Sequence, residues 1–141
     1  MLESLGAKQI LNRDEIMAPI EKPLLRPRWA GAFDTVGGET LSSLLKQTSK
    51  SGSVATCGNV GGIALPITVL PFILNGINLL GINAADTLMS VREEVWSLLE
   101  EIAEPLQVSK FGKEITLEQI GDALDQVGKS GHIGRFTIKV K

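Results

Sequence analysis

Residues 31–62, GAFDTVGGETLSSLLKQTSKSGSVATCGNVGG, decide the fold class. Gly31–Val36 is a short apolar run that stops at Gly37-Gly38, the pattern of a strand buried on both faces. Leu41, Leu44, Leu45 and Thr48 then recur at helical spacing, and Gly52 closes that helix. Ser53–Cys57 is the next apolar run, and Gly58-Asn59-Val60-Gly61-Gly62 is the loop that follows it. Downstream, a proline-bounded segment leads to a helical turn at Phe72–Leu74 and to a third strand, Asn78–Ala84. Strand, helix, strand, helix, strand predicts right-handed crossovers and a parallel sheet, so the fold class is α/β.

Before this stretch, Leu2–Gly6 reads as the last turn of a helix stopped by Gly6. Gln9–Leu11 reads as a short strand, and residues 18–28, with Pro19, Pro23 and Pro27, as an irregular connection. Beyond it, Asp86 or Thr87 can cap a helix whose face carries Leu88, Val91, Val95, Leu98, Leu99 and Ile102, with Pro105 as its stop. Thr116 and Gln119 have capping-box spacing ahead of Ile120, Leu124 and Val127. A last strand, Arg135–Lys141, alternates Phe136, Ile138 and Val140 with polar residues, which suggests one solvated face.

Composition narrows the function classes. Lys plus Arg (14) nearly balances Asp plus Glu (16) in the 141 residues, which argues against nucleic-acid binding through a basic surface. The longest apolar stretches are broken by Pro66, Pro71, Asn75 and Gly76, short of the ~20 residues a membrane span needs. One cysteine excludes an internal disulfide and a cysteine-based metal site. One histidine and no tyrosine leave few candidates for proton transfer. The N-terminus has no secretory pattern, and the cytoplasm is the expected compartment.

Ligands of open α/β sheets bind beyond the carboxyl ends of the strands, where Gly37-Gly38, Gly58–Gly62 and Asn83–Asp86 fall. Glycines there let a ligand approach the backbone, although an ordinary tight turn explains GNVGG at least as well. Neither GxGxxG nor GxxxxGK[ST] occurs, so a pyrophosphate-cradling loop is missing from this chain. In a dinucleotide-binding domain Arg13 could pair with a 2′-phosphate; as a lone loop arginine it is more simply solvated or paired with Asp14 or Glu15. Cys57 reads as a buried inert thiol and His132 as a solvated loop residue. Asp34, inside an apolar run, needs a hydrogen-bond partner or solvent and reads as a structural or loop-orienting group, not an acid catalyst. Trp29 and Trp96 read as packing residues, and Glu93, Glu94, Glu100 and Glu101 as a solvated helix face.

Several runs go further in combination: LGAKQILNRDE, WAGAFDTVGGETL, GSVATCGNVGGIALPITVLPFILNGINLLGINA, VREEVW and HIGRFTIKVK. Their order and spacing resemble the zinc-independent, quinone-oxidoreductase-like branch of the medium-chain dehydrogenase/reductases, and within it the NADPH-dependent acryloyl-CoA reductase group. The resemblance implies the C-terminal part of a two-domain enzyme. Residues 1–128 would be a partial, doubly wound Rossmann domain lacking its first two strands. Residues 129–141 would return toward an absent GroES-like catalytic domain, whose strand they supply. It also implies that the parent reduces an activated C=C bond of an enoyl thioester or quinone-like acceptor with NADPH. By resemblance, Arg13 would hold the 2′-phosphate, Asn59 would lie along the ribose and nicotinamide, and Ile73 would line the nicotinamide pocket. Ala84 would sit at the carboxamide end and Gly131 would close over the cofactor, while no residue matches a catalytic acid.

With strand order 3-2-1-4-5-6, the absent strands would lie between Gln9–Leu11 and GAFDTV, leaving the former without a neighbour and the latter with an open edge. An excised piece, a truncated product or a chain reliant on oligomer contacts is therefore expected, with negligible turnover by the chain alone. Homodimer pairing through Asn78–Ala84 is the association the resemblance implies. The competing expectation is a non-catalytic dimerisation or interaction domain derived from such an enzyme.

Overall fold

The apolar runs around Phe33, Val54 and Leu79 become adjacent strands of one parallel sheet in the computed structural model, which describes residues 2–17, 19, 21–103, 108–129 and 132–140. The chain forms two units, Lys8–Thr87 and Met1–Ala7 with Leu88–Lys141. In the first, a single turn α1 (Arg13–Ile16) precedes β1 (Trp29–Asp34), α2 (Gly38–Lys46), β2 (Thr48–Thr56), α3 (Leu70–Asn75) and β3 (Asn78–Gly81). The sheet order is β1-β2-β3, with Ala32, Val54 and Leu79 in register, and Phe33, Ala55 and Leu80 beside them. This is the parallel α/β sheet expected from the pattern.

One face of that sheet holds the core. Leu41 and Leu45 of α2 pack with Val54 and Ile77, and Ala32, Leu65, Ile67, Phe72 and Leu79 close around them. Side chains alternate along a strand, so the residues between these point the other way. Phe33 is 92% exposed there and Leu80 is largely exposed, which corrects the expectation that Gly31–Val36 is buried on both faces. Among the described residues no element of this unit covers that side of β1 well enough to bury Phe33. Gln9–Leu11 is not a strand, because a lone extended run has no ladder partner; β1 is accordingly an edge.

Two boundaries move for local reasons. Lys46 ends α2, and Thr48 already starts β2 while its Oγ1 donates to the Leu44 carbonyl at 2.8 Å. Gly52 therefore lies inside β2 and does not stop a helix. A Cβ on it would run into the Ala30 carbonyl oxygen, where the β1–β2 register shifts beside Ser51 (φ 59°). β3 ends at Gly81, three residues earlier than NLLGINA suggests.

The second unit contains a 3-10 turn, Glu3–Leu5, stopped as expected by Gly6 at φ 90°. Then come α4 (Met89–Ala103), β4 (Gly112–Ile115), α5 (Ile120–Val127) and β5 (Arg135–Ile138). The apolar face of α4 exists as the sequence predicts, but Leu88, Val95 and Leu98 on it are exposed, and so is Trp96, which does not pack as expected. Pro105, the expected stop, lies outside the described residues. The capping box of Thr116 and Gln119 forms. β4 was not anticipated: its four residues, GKEI, carry no apolar alternation, and it is a strand because it pairs in parallel with β5.

Removing buried Leu45 (Leu45→Ala) should cost about 2–5 kcal/mol in chemical denaturation, whereas Phe33→Ala should stay within about 0.5 kcal/mol.

Candidate functional site

Both glycine loops leave the sheet at its carboxyl end, and a buried carboxylate governs how they do so. Asp34, the last residue of β1, is 2% exposed. Burial of an unpaired carboxylate is prohibitive, so its oxygens must collect donors. Oδ2 accepts the Gly37 N–H at 2.9 Å and the Thr56 hydroxyl at 2.9 Å. Oδ1 accepts the N–H groups of Val36 and Gly37, both at 3.2 Å. Asp34 thus has the loop-orienting role expected of it, and Thr56 joins the loop after β1 to the end of β2.

The main chain completes the junction. Cys57 N–H donates to the Asp34 carbonyl at 3.0 Å, and Gly61 N–H to the Val36 carbonyl at 2.7 Å. Ile82 N–H donates to the Thr56 carbonyl at 2.9 Å, which brings in the segment after β3. Here glycine is required by packing. Gly37 has φ 73°, and a Cβ on it would lie 2.8 Å from the Gly62 carbonyl oxygen. A Cβ on Gly58 would overlap the Thr35 carbonyl. These glycines let two loops interlock, which is the tight-turn reading of GNVGG. Gly81 differs, because a Cβ there would meet nothing within 4 Å.

The result is an open cleft of about 570 Å³ walled by Thr56, Cys57, Gly58, Asn59, Gly81, Ile82 and Asn83. Asn59, expected at the cofactor, is in this wall. Ala84, also expected, follows Asn83 directly and is exposed. Ile73 is exposed on α3 and Arg13 is exposed as the first residue of α1; neither lines the cleft. Gly131 lies outside the described residues. Cys57 is exposed, not buried as expected, because β2 ends one residue earlier and its side chain reaches the cleft. Its Sγ lies 3.7 Å from the Asp34 carbonyl. Thr56 and Ile82 were missed by sequence reasoning, because an ordinary strand end carries no signal for them, whereas Asn83 opens the Asn83–Asp86 segment expected at a strand's carboxyl end. Asn83 is held by its Nδ2 donating to Asp86 at 2.9 Å and by the Thr87 hydroxyl donating to its carbonyl at 2.8 Å.

The second unit has a separate apolar hollow of about 300 Å³ lined by Ile115, Ile120, Leu124, Val127 and Phe136, among others. His132 stacks on Phe136 with ring centroids 5.0 Å apart, and its Nε2 is buried without a hydrogen-bond partner, so it is not a solvated loop residue. No cluster of three metal-ligating side chains occurs among the described residues. No described helix is long and apolar enough to cross a membrane.

No protein-family model matches the chain. It is 37% identical over 140 residues to a Bacillus subtilis protein named as a quinone oxidoreductase, YhfP, covering 99% of this chain and 42% of that protein. Over 121 residues it is 42% identical to acrylyl-CoA reductase AcuI of Ruegeria pomeroyi, covering 86% of this chain and 36% of that one. Among solved structures, the yhdH oxidoreductase of Salmonella enterica in complex with NADP matches at 40% identity and TM-score 0.85, covering 99% of this chain and 43% of that chain. The chain spans about 42% of the length of the first of these relatives and corresponds to the C-terminal part of such oxidoreductase structures. The resemblance read from the motifs therefore holds, and so does the fold it implied.

Thr56→Val should lower stability by about 1–3 kcal/mol in chemical denaturation, because it strips a donor from a buried carboxylate, while Thr56→Ser should restore most of it.

Proposed function

We propose that the chain is the cofactor-facing C-terminal portion of an NADPH-dependent oxidoreductase that reduces an activated carbon–carbon double bond. The acceptor would be an enoyl thioester of the acryloyl-CoA kind or a quinone-like molecule. One observation carries this reading: two interlocked glycine loops end β1 and β2 and leave an open cleft beyond three parallel strands, in a chain similar along its length to oxidoreductases solved with nicotinamide cofactors.

The cleft fits a nicotinamide nucleotide in kind. At Gly81, which lines it, there is no side chain and no neighbour where a Cβ would stand, so a flat ring system can approach the backbone. Its polar wall, Thr56, Asn59 and Asn83, offers donors and acceptors for ribose hydroxyls and a carboxamide. When bound, the cofactor supplies the hydride. The protein's part is orientation: Asn59 and Ala84 would act at the cleft, Ile73, outside the cleft lining, would offer the nicotinamide an apolar contact, Gly131 would close over the cofactor, and Arg13 would be the guanidinium that takes the 2′-phosphate. No residue here is assigned as a proton donor. The pyrophosphate loop is missing from the sequence, so the chain alone is proposed to turn over negligibly.

The domain division proposed from the sequence, 1–128 for the cofactor domain and 129–141 for the strand returning to the catalytic domain, falls between α5 and β5 inside the second unit. The cytoplasm remains the proposed compartment, without nucleic-acid or membrane partners. Homodimerisation through the Asn78–Ala84 segment is supported by β3 being a free edge of its sheet, as β1 is, since an unpaired edge invites strand addition. The same free edge favours the second reading, a non-catalytic dimerisation or interaction domain.

Titration with NADPH and with NADH separates the readings. Ligand that binds the native state must raise the melting temperature. NADPH should do so more than NADH, and Arg13→Ala should weaken NADPH about tenfold while leaving NADH nearly unchanged. A dimer that responds to neither cofactor overturns the oxidoreductase reading in favour of the interaction domain.

A further inference from the structure

α1 is a four-residue turn with no buried side chain, so neither helix propensity nor a core holds it. Its capping box, in which Asn12 N–H donates to the Glu15 carboxylate at 2.7 Å, closes its N-terminal end only. Its last carbonyls are taken by side chains from distant parts of the chain. Gln47 Nε2 donates to the Ile16 carbonyl at 2.8 Å, and Arg28 Nη1 to the Glu15 carbonyl at 2.8 Å.

Both donors are themselves fixed. Gln47 is 5% exposed; its Nε2 also donates to the Ser43 carbonyl at 3.0 Å, and its Oε1 accepts from Arg28 at 3.4 Å. A buried amide with both N–H groups and its oxygen engaged has one orientation. The Arg28 guanidinium lies over the Trp29 ring, 4.7 Å from its centroid, and the Trp29 indole N–H donates to the Leu44 carbonyl at 3.1 Å. Arg28 N–H donates to the Gln47 carbonyl at 2.8 Å, which locks the start of β1 to the end of α2. Lys46 extends the same grip to the connection after α1, its Nζ donating to the Pro19 carbonyl at 3.3 Å.

We propose that Gln47 and Arg28 are positioning residues for cofactor choice: by gripping the C-terminal carbonyls of α1 they set where Arg13 stands, and with it the preference for a nucleotide carrying a 2′-phosphate. This deepens the assignment of Arg13 made above and rests on it. Neither residue touches the nucleotide. A guanidinium discriminates a phosphate through short, directional hydrogen bonds, so a loosened turn loses preference before it loses binding.

The test measures NADPH and NADH affinities of the full chain, by fluorescence or calorimetry, for wild type, Arg13→Ala, Gln47→Met, Arg28→Met and the Arg13→Ala/Gln47→Met pair. Gln47→Met and Arg28→Met should each cut the NADPH-over-NADH ratio about fivefold or more, with NADH affinity held. The double variant should lose no more preference than Arg13→Ala, because the two act through one contact. Arg28 is exposed, so Arg28→Met keeps the question answerable should Gln47→Met not fold. If Arg13→Ala abolishes the preference and both positioning variants retain it, this inference is overturned while the Arg13 assignment stands. If wild type has no preference, or Arg13→Ala keeps it, the assignment and the inference fall together.

Discussion

The carboxylate of Asp34 is the point through which the carboxyl end of the sheet is organised. A charge buried to this degree is tolerated only because two backbone N–H groups and one hydroxyl converge on it. That convergence forces the chain to turn sharply after β1, which puts Gly37 at positive φ and brings it against Gly58–Gly62. Thr56 carries the constraint to β2, and the Ile82 N–H carries it on to the segment after β3. The cleft is what remains beyond this junction. Main-chain hydrogen bonds hold the strand ends that frame it, and the residues Thr56, Cys57, Asn59, Ile82 and Asn83 line it.

A second physical theme is apolar surface prepared for burial and left uncovered. Phe33 and Leu80 stand on the open face of the sheet, and the face of α4 carries Val91, Val95, Leu98 and Ile102 in solvent. β1 and β3 are both edges. Among the described residues these apolar side chains and two sheet edges stand uncovered.

Where the sequence carried a strong local signal, the structure followed it. The apolar run through Phe33, the glycine pair after it and the helical spacing of Leu41, Leu44 and Leu45 gave the βαβ unit with its correct parallel pairing. The loop-orienting role of Asp34 was legible because a carboxylate inside an apolar run needs a hydrogen-bond partner or solvent; that it is buried was not. What sequence reasoning lost depends on contacts between distant segments. Hydrophobicity marks Phe33 for the interior, yet only a covering layer can bury it. Thr48 continues the helical spacing of α2 but is drawn into β2 by pairing with Trp29. The grip of Gln47 and Arg28 on α1 joins residues far apart in the chain, and nothing in either local pattern announces it.

The central claim, that the cleft beyond the three parallel strands receives a nicotinamide nucleotide, is tested most directly by following backbone amide resonances during NADPH titration. Shifts concentrated at Gly58–Gly62 and at Gly81–Ala84, with the amides of β4 and α5 unmoved, are the result the account predicts. Saturating NADPH that leaves those two loops unperturbed, or that perturbs only the apolar hollow around His132, would contradict it.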